Sequence, residues 1–215
     1  MRLGRVMAGV GLLMAVYTAS ACVLPRSDDA AVRTFVLTHE ETGRQATPAG
    51  APAAIHGVLV VAVPQAAPGF EQPRIAYLRQ PSEVNYYATH VWADTPSRMV
   101  LPLVVRSIET SGLWRVVVAM PTGIRGDYQL DLSDLLVQQE FLQQPSRSRV
   151  QMRAHLVDVK AQRILGARIF EALEPAPTED AYGGVLAADR AMATVLATIN
   201  EWITSCLRGS GREVC

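Results

Sequence analysis

The residue types that most often do chemistry stand in this chain without the spacing that chemistry needs. Four histidines are present, His39, His56, His90 and His155. None has a second ligand at His-x-x-x-His or His-Glu-x-x-His spacing, the patterns that put two imidazoles on one helical face around a metal. His39-Glu40-Glu41 has the composition of an acid/base or metal cluster, but it borders a loop-like stretch and reads as a solvated charged turn. There is no Gly-x-Ser-x-Gly elbow, no phosphate-binding glycine loop and no Ser-x-x-Lys pair. Gly183-Gly184 opens a helical pattern without the preceding strand and the lysine that phosphate binding requires, so a close helix approach is the better reading. An exported hydrolase would need a nucleophile beside a matched base, and no spacing proposes one. The expectation is a protein with no catalytic residue, no metal and no cofactor.

Cysteine is where the chemistry lies. Arg2 and Arg5 precede an uncharged apolar run that ends in small residues, Ala19-Ser20-Ala21, followed at once by Cys22. This is the layout of an export signal, and its apolar part is short for a stable transmembrane helix. Two cleavage readings fit. Ala19-Ser20-Ala21 suits an ordinary Ala-x-Ala site, which leaves a soluble periplasmic protein; Ser20-Ala21-Cys22 suits the end of a lipobox, although Ala19 stands where Leu is usual. The second is favoured because a cysteine directly after the small residues is rare by chance. Cys22 would then carry the lipid, with acyl chains such as palmitate. Val23 follows it, where aspartate would be the usual signal for retention in the inner membrane, so the expected location is the outer membrane, lipid-anchored and facing the periplasm.

Cysteine parity agrees. The chain has three cysteines, and consumption of Cys22 by lipid leaves Cys206 and Cys215 free to pair in an oxidising compartment. The two glycines of Leu207-Arg208-Gly209-Ser210-Gly211-Arg212 make a small closed loop sterically easy. Without Cys-x-x-Cys spacing, this bond would pin the C-terminus and do no redox chemistry.

Tyr86, Tyr87 and Trp92 form the other conspicuous group. Placed between a strand and a capped helix, these rings would either pack in the core or line an apolar groove that meets a partner or a lipid.

The chain that must position these residues has 215 residues, 20 Lys plus Arg against 20 Asp plus Glu, and 49% hydrophobic residues. A balanced charge offers no field for nucleic acid or an anionic surface, and the length suits one domain after a targeting segment. The expected organisation is a signal peptide over 1–21, a tether over 22–32, a folded domain over 33–206 and a C-terminal tail over 207–215. Strands are read at Arg33 to Leu37, Val58 to Val63, Arg74 to Arg79, Glu83 to Tyr87 and Trp114 to Ala119, with a mobile loop from Glu40 to Ala54. Val100, Val104 and Ile108 recur every four residues on a helix capped near Asp94-Thr95-Pro96 and ended at Gly112, with Pro102 bending it or marking where its regular part begins. Leu130 and Leu132 lie on one parity and Leu135 and Val137 on the other, so a long strand from Tyr128 needs a bulge near Ser133-Asp134. Val150 to Leu156 and Ile164 to Leu173 complete three long antiparallel strands. Leu186, Met192, Leu196, Ile199 and Ile203 mark a helix from Asp180 to Cys206 that covers them. The fold class is α+β, a mixed and mostly antiparallel sheet packed against two principal helices in a single domain.

With the lipobox, the strand Arg74-Ile75-Ala76-Tyr77, the segment Glu83-Val84-Asn85-Tyr86-Tyr87-Ala88-Thr89-His90-Val91-Trp92-Ala93-Asp94 and the helix after it, the sequence resembles the ABC-type transport auxiliary lipoproteins. The resemblance spans roughly residues 33 to 206, and Trp92-Ala93-Asp94 after Tyr87 is its most specific part. It departs in Ala19, in Pro102 and in the final pair of cysteines, which the family pattern does not require.

The resemblance implies an auxiliary lipoprotein that takes no part in catalysis and serves lipid traffic between the inner and outer membranes. Its partners would be a Mce-type substrate-binding protein and ABC transporter subunits that do the ATP chemistry. By the same analogy Cys22 is the lipid anchor, and Tyr86, Tyr87 and Trp92 are the positions for contact with partner or phospholipid. A homo-oligomer is compatible with this, and nucleic acid has no part in it. The competing reading is a structural or assembly lipoprotein of another envelope complex, such as a secretion or efflux machine.

Overall fold

The computed structural model describes residues 31–38, 55–208 and 215. Eight strands and two long helices follow in the order β1 (Arg33–Phe35), β2 (Ile55–Val61), β3 (Arg74–Leu78), β4 (Val84–Trp92), α1 (Pro96–Thr110), β5 (Trp114–Ala119), β6 (Tyr128–Glu140), β7 (Arg147–Asp158), β8 (Arg163–Pro175) and α2 (Ala181–Arg208). The fold is α+β, with a mixed sheet and the expected helices. The proposed loop from Glu40 to Ala54, the export signal and Cys22 all lie outside the described residues.

Strand β6 is the axis of the sheet. Along one edge it pairs antiparallel with β7, from Tyr128↔Asp158 to Glu140↔Arg147, and β7 pairs in turn with β8. Its other edge is shared: β2 lies parallel to its beginning, from Leu59↔Tyr128 to Val61↔Leu130, and β3 lies parallel to its end, from Ala76↔Gln138 to Leu78↔Glu140. The connection between β2 and β3 follows the same edge, with Ala62, Gln65 and Ala67 donating to Leu130, Leu132 and Leu135 carbonyls. The parallel pairings are short and the antiparallel ladders β6–β7–β8 are long, which is the mostly antiparallel character read from the sequence.

The parity conflict along β6 is resolved as its sequence requires. The register slips between Ser133 and Leu136, and Asp134 takes a left-handed backbone, φ 52°. Leu130, Leu132, Leu135 and Val137 are therefore all buried on one face. Aspartate tolerates that conformation better than most residues, which suits it to the bulge position.

The two helices touch each other and cover this face. Helix α1 starts with Pro96 at its first turn, buries Val100, Val104 and Ile108, and runs through Pro102 without interruption. Pro102 is exposed, so the break in the hydrogen-bond ladder falls on the solvent side of the helix. Ser111 caps the C-terminus and Gly112 follows with φ 65°, a left-handed turn that glycine adopts without steric cost. Helix α2 buries Val185, Met192, Leu196, Ile199 and Ile203 against β6, β7 and β8, while Leu186 is half-buried. Asn200 on α2 donates to both the carbonyl and the hydroxyl of Ser107 on α1 at 3.0 and 2.8 Å, locking the two helices in register. Residues Val32–Cys215 form one unit.

Candidate functional site

The strand carrying Tyr86, Tyr87 and Trp92 is longer and less regular than its sequence suggests. It runs to Trp92, past the Tyr87 limit read from the sequence. Val91 lies opposite Arg74 while Tyr86 lies opposite Ala76, so β4 spends four residues where β3 spends one. The excess is a bulge over Tyr87 to His90, and it changes which side chains share a face.

The three aromatic residues accordingly do not form one group between a strand and a helix. Tyr86 lies on the sheet face opposite Tyr87: its hydroxyl donates to the Gly69 carbonyl at 2.7 Å, and the Arg74 guanidinium stacks 4.1 Å from its ring centroid. Tyr87 points toward α2, with its hydroxyl donating to Gln139 Oε1 at 2.9 Å. Trp92 is 3% exposed, packed in the core, and has no surface for a partner. For Trp92 the packing alternative is the one realised, because the bulge turns it onto the helix-covered face.

Beneath the N-terminus of α2 lies a polar layer that the sequence pattern did not single out. Gln139, Ser146 and Ser148 are buried on the α2 side of β6 and β7. Gln139 Nε2 donates to Ser146 Oγ at 3.0 Å, the Ser146 N–H donates to Glu179 Oε1 at 2.8 Å, and the Ser148 hydroxyl donates to the Gly184 carbonyl at 2.6 Å. The signal was present: Ser148 continues the inward parity of Val150 to Leu156, and Gln139 continues that of Leu135 and Val137. Asp180 caps the helix, accepting from the Gly183 N–H at 2.7 Å and from the Thr178 hydroxyl at 2.7 Å. Those two donors, the backbone one foremost, hold its carboxyl below the usual range.

Gly183 and Gly184 are consumed by packing. A Cβ on Gly183 would sit 2.1 Å from the Thr178 carbonyl oxygen, and one on Gly184 would sit 2.2 Å from Gln139 Oε1. This is the close helix approach expected from the sequence.

The chemistry this arrangement supports is structural. Burial, with smaller contributions from Tyr77 and Asp180, pushes the Tyr87 phenol up to about 12. It therefore stays a neutral hydrogen-bond donor at ordinary pH. On the other sheet face Glu140 is a buried carboxylate, held by Arg149 Nε at 2.6 Å and by Gln138 Nε2 at 2.8 Å, and Arg149 also reaches Glu171. A cavity of about 10 Å³ lies between Trp92, Gln139, Ser148 and Gly184, room for a single water and no organic substrate. Trp92 Nε1 is buried without a protein partner. Among the described residues no group of three His, Cys, Asp or Glu could hold a metal ion. His90 is beside Thr89, 3.1 Å from Nδ1 to Oγ1, and His155 lies opposite Asp131 and Ala167 in the ladder. His39 and the side chain of His56 lie outside the described residues.

Cys206 and Cys215 are joined, with Cα atoms 5.4 Å apart. The Cys215 N–H donates to the Leu165 carbonyl at 3.0 Å, so the disulfide fastens the last residue to the free edge of β8. Gly166 leaves the space: a Cβ there would come 2.5 Å from Cys215 Sγ and 2.9 Å from the Trp202 ring.

The model of the family described as ABC-type transport auxiliary lipoprotein component matches residues 35–200, from the last residue of β1 through most of α2. The chain belongs to this family. Family membership makes it an auxiliary component of ABC-type transport of the lipoprotein kind. Protein XCC0632 from Xanthomonas campestris is similar in structure, with 25% identity and a TM-score of 0.72 over 82% of this chain and 97% of its own. A second solved structure, of an uncharacterized protein, is 11% identical with a TM-score of 0.61, covering 80% of this chain and 99% of its own, and shares the fold alone. No curated protein matches the chain significantly. Among the described residues no helix is long and apolar enough to cross a membrane.

Proposed function

We propose that the protein is a non-catalytic subunit of an ABC/Mce-type system that moves lipids between the inner and outer membranes. Cys22 carries its acyl anchor, residues 22–32 are the tether, and the folded domain faces the periplasm from the outer membrane. The observation that carries the reading is the family match, which takes in all strands from Phe35 onward and most of α2. Two further features support it. The export signal ends at a cysteine. The buried polar groups near α2 are spent on holding the helix. The partners are a Mce-type substrate-binding protein and ABC subunits, with phospholipid as cargo. Tyr86, on the face away from α2, is the position for contact with a protein partner.

Affinity capture of the mature protein from detergent-solubilised envelopes, with wild-type Cys22 and with Cys22→Ala, tests the reading. Mce and ABC subunits should co-purify, and the Cys22→Ala chain should leave the membrane fraction and weaken the permeability barrier of the envelope. Recovery of secretion or efflux subunits in their place would establish the competing reading. A Cys22→Ala chain that stays membrane-bound and fully active would refute the anchor.

A further inference from the structure

Six aromatic rings from separate parts of the chain stand in one continuous file beside the N-terminus of α2. Tyr182 is 6.4 Å from Phe35, Phe35 stacks on His90 at 5.8 Å, and His90 meets Tyr87 at 5.7 Å. Tyr87 lies 4.7 Å from Tyr77, which meets Phe141 edge-on at 6.0 Å. None of the six is fully buried. Tyr182 at one end is 48% exposed, and Leu142, next to Phe141 at the other, is 47% exposed. Arg33 lies 5.7 Å from the Phe35 ring and Arg79 5.7 Å from the Tyr77 ring, which places a guanidinium near each end of the file. Glu179 and Asp180 lie beside the file as well, each fixed by a backbone N–H, and their charges stand against those of Arg33 and Arg79, so the rings and not a net charge mark this surface.

Amphipathic rings flanked by arginines make the composition of a surface that sits in a membrane's headgroup layer, where tyrosine bodies meet acyl chains and cations reach phosphates. The length of the tether selects this occupant over a protein. β1, which supplies Arg33 and Phe35, is the strand to which the tether leads, and Val32 and Val36 beside them are 62% and 55% exposed. The ten Cα-to-Cα steps from Cys22 to Val32 reach at most roughly 35 Å when fully drawn out. A face at the root of the tether meets the bilayer with the chain slack, whereas a remote face needs it stretched at a cost in chain entropy.

We propose that this aromatic file is the membrane-contacting surface of the anchored protein, lying in the headgroup layer of the bilayer that holds Cys22. The proposal rests on acylation of Cys22, and its test separates the two. The mature lipidated chain is reconstituted into vesicles of phosphatidylethanolamine with a minor share of phosphatidylglycerol, with and without bromine in the upper acyl chain. The native tryptophans, Trp92, Trp114 and Trp202, are all buried, so they give a constant background. Tyr182→Trp and Leu142→Trp report the two ends of the file. Ile169→Trp, 47% exposed and paired with Arg153 on the opposite sheet face, is the control.

Both file reporters should be quenched roughly twofold more strongly than the control, as expected for groups at the headgroup and acyl boundary. Equal quenching at Ile169→Trp, or none at the file, overturns the proposal. Absent quenching with a blue shift only after Mce and ABC subunits are added assigns the file to a protein partner and overturns it as well. Intact mass of the membrane-extracted chain reads the anchor independently. Acyl mass on Cys22 with an unquenched file means that the anchor stands and the surface fails. A quenched file on a chain without acyl mass means the reverse.

Discussion

Gly184 lies over Gln139 so closely that a Cβ would come 2.2 Å from its Oε1, the atom that accepts the Tyr87 hydroxyl at 2.9 Å. Through these two residues α2 presses on the end of β6 and fixes the side chain that in turn fixes the β4 bulge. Gly184→Ala must push the Gln139 amide out of its bonds to Tyr87 and Ser146. The expected loss is about 1–3 kcal/mol, typical of overpacking and of a buried polar group left unpaired. Urea denaturation followed by circular dichroism measures it. Gly184→Ala as stable as wild type would mean that the polar layer does not hold the helix.

Trp92 separates packing from recognition. Trp92→Ala should cost about 3–5 kcal/mol by emptying the core. Trp92→Phe should cost much less, because the indole N–H it removes has no protein partner. Chemical denaturation of both variants checks the order. A Trp92→Ala chain of unchanged stability that no longer captures its partners would return Trp92 to the role of a contact residue.

The disulfide closes a segment with a sequence separation of 9, for which chain entropy gives about 2–3 kcal/mol. Cys206→Ser and Cys215→Ser should each lower the thermal midpoint by the same amount as reduction does. The double variant should add nothing further, since either change opens the same loop. Melting curves with and without dithiothreitol, supported by hydrogen exchange at Leu165 and Gly166, provide the readout.

Acid should weaken the start of α2. The Asp180 carboxyl is held below its ordinary value of 3.8 by the Gly183 N–H and Thr178 hydroxyl. Its contribution is complete above that value and is lost as the pH falls through the lower folded-state value. Asp180→Asn keeps a capping side chain but cannot titrate, so it should flatten the fall in stability on the acid side and leave the neutral range nearly unchanged. Stability measured from neutral pH downward tests this, and an unchanged acid slope would assign the titration to other carboxylates.

Much of the fold was legible because side-chain period is a local property. Val100, Val104 and Ile108 announce α1, and Val150 to Leu156 announce β7. The change of parity between Leu132 and Leu135 announced a bulge that the structure places between Ser133 and Leu136. The pairing of Cys206 with Cys215 followed from cysteine parity, and the family from the lipobox, the strand Arg74-Ile75-Ala76-Tyr77, the segment from Glu83 to Asp94 and the helix after it, taken together.

Tertiary structure alone decided the arrangement of the aromatic residues. Tyr86 and Tyr87 are neighbours in sequence, yet one stacks with Arg74 and the other reaches Gln139 on the opposite face. Trp92 joins the side of Tyr87 only because β4 holds four residues opposite one of β3. The ring file draws on β1, β3, β4, the residue after β6 and the start of α2, which no local pattern connects. Period shows that a strand alternates; which strand lies beside it, and where its register slips, is settled by which packing of the whole sheet buries the most apolar surface with its polar groups paired.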